Sequence, residues 1–73
     1  MTLTYKIKDF TDEKVNEKNT LSDDGTLKKR IGFSITDEKN NFYAIDKWLT
    51  IVDGKSDDDY IKEAYDLCKA QID

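Results

Sequence analysis

The sequence predicts a small α+β fold, in which a three-stranded antiparallel sheet (β-β-β-α) carries one C-terminal helix packed on one face. Three stretches alternate apolar with polar residues or are rich in β-branched and aromatic residues, as strands are. The stretch from Ser56 to Asp73 instead places its apolar residues at helical spacing. A chain of 73 residues has room for one hydrophobic core, so we expect a single domain over residues 1–73.

The first strand is predicted between residues 2 and 10, where Leu3, Tyr5 and Ile7 alternate with polar residues. Residues 11–26 are mostly polar and show neither a strand period nor a helix period. We therefore expect a long exposed loop over 11–26. Its predicted end is a turn at Asp23-Asp24-Gly25, in which the glycine takes a positive φ.

The second strand begins near Leu27, after which Ile31, Phe33 and Ile35 share one parity and therefore one face of the sheet. The third apolar run is FYAIDKWLTIV, residues 42–52, and its parity is mixed. Either both faces of this strand are partly covered, or a bulge shifts its register.

The helix is the element that the sequence predicts most directly. Its apolar residues form one stripe, and charged residues occupy the opposite side. Because free cysteine is among the most buried residue types, Cys68 on this stripe is expected to be a core residue. The stripe consists of Ile61, Ala64, Tyr65, Cys68 and Ile72.

The letters Gly54-Lys55-Ser56 invite comparison with the end of a phosphate-binding loop. Such a loop needs a second glycine five residues before Gly54, where this chain has Leu49. The alternative is structural: Ser56 caps the helix, and the aspartates at 57–59 occupy the first turn, where the helix dipole favours anions. We adopt the cap. The same acidic stretch lacks the ligand pattern of an EF-hand calcium loop.

The composition predicts a protein that is not an enzyme. The chain has no histidine, one cysteine and a formal charge of −4, so neither an activated nucleophile nor a cysteine-rich metal site is expected, nor any cofactor or small-molecule substrate. The N-terminus has no signal-peptide pattern, and no run reaches the ~18 apolar residues of a membrane span. We expect a cytoplasmic protein.

One surface is predicted to interact with other molecules. If the apolar side chains of the first two strands face the helix, basic side chains point away from it, together with aromatic ones that include Phe10. The alternative is a solvated face whose lysines protect the sheet from aggregation. The residues of the predicted interaction face are Lys6, Lys8, Lys28, Arg30, Phe42 and Trp48.

Two functions fit this face. The leading hypothesis is a non-enzymatic protein-interaction or structural module that binds a protein partner or a second copy, because three strands leave more aromatic surface than one short helix covers. The alternative is a small single-stranded nucleic-acid-binding protein, in which charge holds the backbone and rings stack on bases. The net charge of −4 opposes the alternative.

The C-terminal half also resembles a known group of proteins. It runs from Phe42 through Val52-Asp53-Gly54-Lys55-Ser56 to Tyr60-Ile61-Lys62-Glu63-Ala64 and Cys68-Lys69-Ala70. These segments resemble the ending of small uncharacterised proteins of tailed bacteriophages, especially those of cyanobacteria. The resemblance implies a short phage-encoded accessory or virion-associated protein, located in the host cytoplasm or the virion.

Overall fold

A computed structural model describes residues 2–72 and confirms the α+β fold, with an antiparallel sheet in the order β1-β2-β3 and one C-terminal helix packed against it. The helix α1 packs on β2 and β3. No helix in this part of the chain is both long and apolar enough to cross a membrane. The elements are β1 (Leu3–Val15), β2 (Thr26–Asp37), β3 (Phe42–Thr50) and α1 (Asp57–Ile72).

Strand β1 is longer than the sequence predicted, so the expected loop over 11–26 is wrong for residues 11–15. Asp12 lies opposite Lys29 and Glu13 lies opposite Lys28 in the β1–β2 ladder. The carboxylate of Asp12 is 2.5 Å from the Lys29 ammonium. Because opposite charges across a ladder stabilise the pairing, this segment forms a strand without any apolar alternation.

A β-bulge in β1 changes which residues face the helix. The register with β2 shifts between Ile7 and Asp9, so Lys8 has no residue opposite it. One extra residue reverses the parity of the strand beyond it. Phe10 consequently packs against the core on the helix side, which corrects its predicted place on the opposite face. For the third strand the sequence left open a bulge or partial covering of both faces, and the bulge is wrong because β3 pairs with β2 without interruption.

The connection between β1 and β2, residues 16–25, is shaped by local hydrogen bonds. The side chain of Asn16 accepts bonds from the backbone N–H groups of Lys18 and Thr20. Gly25 ends the turn, but its φ is not positive as predicted. A Cβ at this position would lie 2.4 Å from the carbonyl oxygen of Val15, so the position requires glycine because of close backbone approach.

The tight turn between β2 and β3 is organised by the carboxylate of Asp37. One of its oxygens accepts the backbone N–H groups of Lys39 and Asn41, at 2.9 Å each. The other oxygen accepts the Asn41 side-chain amide and the Tyr43 hydroxyl. These bonds, led by the one from the Asn41 side chain, lower the pKa of Asp37.

The start of α1 confirms the predicted cap. The Ser56 hydroxyl accepts the backbone N–H of Asp59, and the three aspartates of 57–59 occupy the first turn. Gly54 has a φ of 81° in the preceding turn. Gly54, Ser56 and the three aspartates thus have structural roles in joining β3 to α1.

The core lies between α1 and the sheet face beneath it. The predicted stripe is confirmed, with Ala64 and Cys68 buried and the other members partly buried, but Tyr60 joins it as well. Burial raises the pKa of the Cys68 thiol. The buried members of this cluster are Ile31, Phe33, Ile35, Leu49, Tyr60, Ala64 and Cys68.

Candidate functional site

The sheet face turned away from α1, which we call the far face, is polar with isolated aromatic residues. Strand alternation and the two ladder registers determine its membership. Its β1 members are Thr4, Lys6, Asp9, Thr11, Glu13 and the buried Val15, its β2 members are Thr26, Lys28, Arg30, Gly32, Ser34 and Thr36, and its β3 members are Phe42, Ala44, Asp46, Trp48 and Thr50.

Arg30 is the centre of the far face and is surrounded by carboxylates. Its guanidinium nitrogens lie 3.0 Å from Asp46, 3.5 Å from Glu13 and 3.9 Å from Asp9. The hydrogen bond to Asp46 is the main cause of the raised pKa of Arg30. The guanidinium also lies 5.7 Å from the ring of Trp48. Arg30 is therefore engaged within the chain, in an arrangement that orients the Trp48 ring.

The basic residues of the predicted interaction face do not make the far face positive. Lys6 lies opposite Ser34, and Lys28 lies opposite Glu13. Together with Arg30 these give three positive charges at paired positions, which three carboxylates on the same face balance: Asp9, Glu13 and Asp46. Lys8 is exposed at the bulge and has no residue opposite it. The bulge at Lys8 explains the balance, because the reversed parity places Asp9 and Glu13 on the far face and moves only Asp12 to the helix side.

The two aromatic residues of the predicted interaction face share the far face but are not neighbours. Phe42, with 64% of its surface exposed, lies opposite Thr36, whereas Trp48 lies opposite Arg30. Six residues along a strand correspond to roughly 20 Å. One copy of the chain therefore offers two separate rings and no continuous aromatic platform.

A second surface lies on the helix side of β1, which α1 leaves partly uncovered. Tyr5 and Ile7 are 41% and 38% exposed, and Leu3 is partly exposed. The only ring of α1 that reaches this strand belongs to Tyr65, whose centroid is 4.2 Å from that of Tyr5. We call Leu3, Tyr5 and Ile7 the β1 strip. It borders the outer edge of β1, which no strand of the described chain pairs with.

The β1 strip was absent from the predicted site residues, although its alternation was recognised. The sequence indicated a strand whose Leu3, Tyr5 and Ile7 share one face, which was expected to be turned toward the helix. The signal that they remain accessible is the number of elements: one helix of 16 residues cannot cover three strands. Sequence periodicity does not tell which strand the helix leaves uncovered.

A depression of about 410 Å³ lies beside the connection between β1 and β2, lined among others by Asn16, Ser22, Asp24 and Lys28. Within residues 2–72, no group of three or more histidine, cysteine or acidic side chains is placed to hold a metal ion.

The chain was compared with known proteins. No profile of a protein family, no curated protein sequence and no solved structure matches it.

Proposed function

We propose that the protein is a non-enzymatic protein-interaction module that takes up an extended segment of a partner protein along the outer edge of β1. The observation that carries this proposal is the β1 strip, an apolar row left half-exposed beside an unpaired strand edge. An accessory role in a phage, and a place in the host cytoplasm or the virion, stay predictions from the resemblance.

The edge of β1 supplies the backbone half of such an interaction. β1 has 13 residues, and β2 pairs with one of its edges. The other edge is bridged at its end, where Val15 lies opposite Leu21 and the Lys14 carbonyl accepts the Ser22 N–H, and no strand pairs with its first half among residues 2–72. An exposed edge presents alternate N–H and C=O groups that a peptide in extended conformation can bond. The affinity of strand addition comes from these backbone bonds, and its specificity comes from the alternating side chains.

The side chains of the first half of β1 define the chemistry of the partner. The segment Leu3–Lys8 reads LTYKIK and contains two lysines and no acidic residue. Lys6 and Lys8 are both exposed and have no ion pair within residues 2–72. A partner segment with apolar residues beside the β1 strip and acidic residues beside Lys6 complements both features.

The same lysines disfavour pairing of this edge with a second copy of itself. When two β1 strands pair antiparallel about Ile7, Lys6 of one lies opposite Lys8 of the other, and when they pair about Lys6 the two lysines face each other. Like charges directly opposite one another destabilise a ladder. In these two registers the edge favours an acidic strand over its own sequence.

The alternative of single-stranded nucleic-acid binding receives less support from the far face. Its central cation, Arg30, is paired with three carboxylates, and its two rings lie at opposite ends of β3. Nucleic-acid binding would weaken steeply with added salt and would change the fluorescence of Trp48, the only tryptophan. Titration with a single-stranded oligonucleotide at two salt concentrations distinguishes the two functions.

The proposal is tested with a peptide of alternating valine and glutamate residues, added to isotopically labelled protein and followed by NMR. We expect chemical-shift changes in β1 that saturate at lower peptide concentration than for a matched peptide of valine and lysine. Ile7→Ser should weaken binding several-fold because it removes part of the β1 strip. The matched control is Val52→Ser, which removes an exposed apolar side chain outside the strip.

Charge reversal at Lys6 gives the sharper result. In Lys6→Glu the preference should shift toward the valine–lysine peptide, because the charge next to the bound segment changes sign. Equal binding of both peptides by the unmodified protein, shifts confined to the far face, or no binding at millimolar peptide would contradict the proposal.

A further inference from the structure

The outer edge of β3 is the second open edge of the sheet, and it differs from that of β1. Strand β3 pairs with β2 in a continuous register from residue 42 to residue 50. No bulge interrupts it, and no described strand pairs with its other side. A regular, unpaired edge of nine residues is a template for another strand.

A second copy of the chain can extend the sheet at this edge only in a few registers. Two identical antiparallel edges are related by a twofold axis, and residues opposite one another must lie on the same face. The axis therefore passes midway between the two copies of one residue, which lies opposite itself. Of the nine residues of β3, at least about seven stay paired only when the centre is Ile45, Asp46 or Lys47. The last two place Asp46 opposite Asp46 or Lys47 opposite Lys47, which like-charge repulsion disfavours.

The register centred on Ile45 contains no such conflict and pairs residues 42–48 of the two copies. On the far face it sets Phe42 opposite Trp48 of the second copy, and Ala44 opposite Asp46. On the helix side it sets Tyr43 opposite Lys47. Aromatic pairs and pairs of an aromatic ring with a cation both stabilise neighbouring strands.

This register also joins the two aromatic residues of the far face that one copy keeps apart. Phe42 and Trp48 lie roughly 20 Å from each other along β3 of a single chain. In the paired edge, each Phe42 lies directly across from a Trp48, at the spacing of ~5 Å between Cβ atoms that opposite residues have. Because the dimer is symmetric, it contains this Phe42–Trp48 pair twice.

We propose that β3 is a self-association edge, at which two copies pair antiparallel about Ile45 to form a six-stranded sheet. An interface of one strand pair is small, so the dimer is weak and its dissociation constant falls in the micromolar to millimolar range. It uses the edge opposite β1. Strand addition at β1 and self-association at β3 therefore stand or fall separately.

The experiment is sedimentation velocity over micromolar to millimolar protein concentration, with Trp48 emission recorded in parallel. We expect concentration-dependent dimerisation that strengthens with added salt, because two copies of charge −4 repel each other. Phe42→Ser should raise the dissociation constant at least about tenfold, since each dimer loses two aromatic pairs.

Opposite charges at Ala44 test the register itself. Ala44→Asp sets a carboxylate opposite Asp46 twice in each dimer and should weaken association at least about tenfold. Ala44→Lys sets an ammonium there and should leave association equal or tighter. Thr4→Asp and Thr4→Lys make the same changes in net charge on the β1 edge and serve as matched controls, with circular dichroism confirming that each variant folds.

Three results would overturn the proposal. The first is a protein that remains monomeric at millimolar concentration. The second is an equal loss of association in Ala44→Asp and Ala44→Lys. The third is a dimer that responds to the Thr4 variants and ignores those at Ala44, which would place the contact on β1.

Discussion

The hydroxyl of Tyr60 links the first turn of α1 to the end of β3, and its removal is a direct test of how the two elements are joined. The hydroxyl accepts the backbone N–H of Val52 at 2.8 Å and donates to the Val52 carbonyl at 3.1 Å. The Tyr60 side chain is 3% exposed, and the hydroxyl satisfies both backbone groups of one residue just beyond the strand.

Tyr60→Phe should lower the free energy of unfolding by about 1–2 kcal/mol. Each hydrogen bond contributes about 1 kcal/mol net, and water replaces part of the loss because Val52 is exposed. The ring and its packing are retained, so no cavity forms. For a domain of this size the total free energy of unfolding is roughly 4–11 kcal/mol, so the loss is a measurable fraction.

The assay is urea denaturation followed by Trp48 fluorescence, with the m-value expected to stay constant. Tyr5→Phe is the matched control, because Tyr5 is 41% exposed and its hydroxyl bonds no other residue among 2–72. The control should change stability by less than about 0.5 kcal/mol. If Tyr60→Phe is as stable as Tyr5→Phe, the hydroxyl does not join helix and strand as described.

Three further predictions concern stability and reactivity. Ser56→Ala should cost about 1 kcal/mol in urea denaturation, because the N-cap bond to Asp59 is lost, and Ser56→Thr should cost less. Folding lowers the pKa of Asp37, so the stabilisation by its ionised carboxylate is complete above the unfolded pKa of about 3.9 and is lost as pH falls through the folded pKa. The difference in unfolding free energy between the protein and Asp37→Asn should therefore shrink on acidification from pH 7. A difference that stays constant would contradict this. Cys68 is buried with a raised thiol pKa, so it should react with a thiol reagent only after urea unfolds the protein, and rapid native-state labelling would argue against that burial.

The order and type of the elements could be predicted because periodicity reports which residues share a face. The stripe on α1 and the alternation in β2 both follow from burial on one side only. The cap at Ser56 was predictable for a different reason, since its chemistry is local and needs no knowledge of the tertiary structure.

The end of β1 and the parity of its second half could not be predicted from periodicity. Residues 11–15 are held in the sheet by charges on the neighbouring strand, a pairing that exists only once the register is known. The bulge at Lys8 has no clear mark in the sequence, yet it decides that Phe10 faces the helix and that Asp9 and Glu13 face Arg30. The bulge therefore adds two carboxylates to a face on which Lys6, Lys28 and Arg30 lie as predicted.

The choice of strand left uncovered is likewise a tertiary property. Helix α1 follows directly from β3 through the short turn at 51–56, which places it over β3 and β2. β1, at the far edge, keeps the β1 strip accessible as a result. Sequence reasoning identified that apolar surface would exceed the reach of one helix, but not where it would lie.

The central claim is that β1 is an open edge that accepts an acidic strand, and its most direct test is an isotope-filtered NMR experiment on the labelled protein with the valine–glutamate peptide. We expect nuclear Overhauser contacts between peptide Hα protons and the backbone protons of residues 3–7, in the alternating pattern of paired strands. Contacts confined to Arg30 and Trp48 on the far face, or to α1 alone, would contradict the claim.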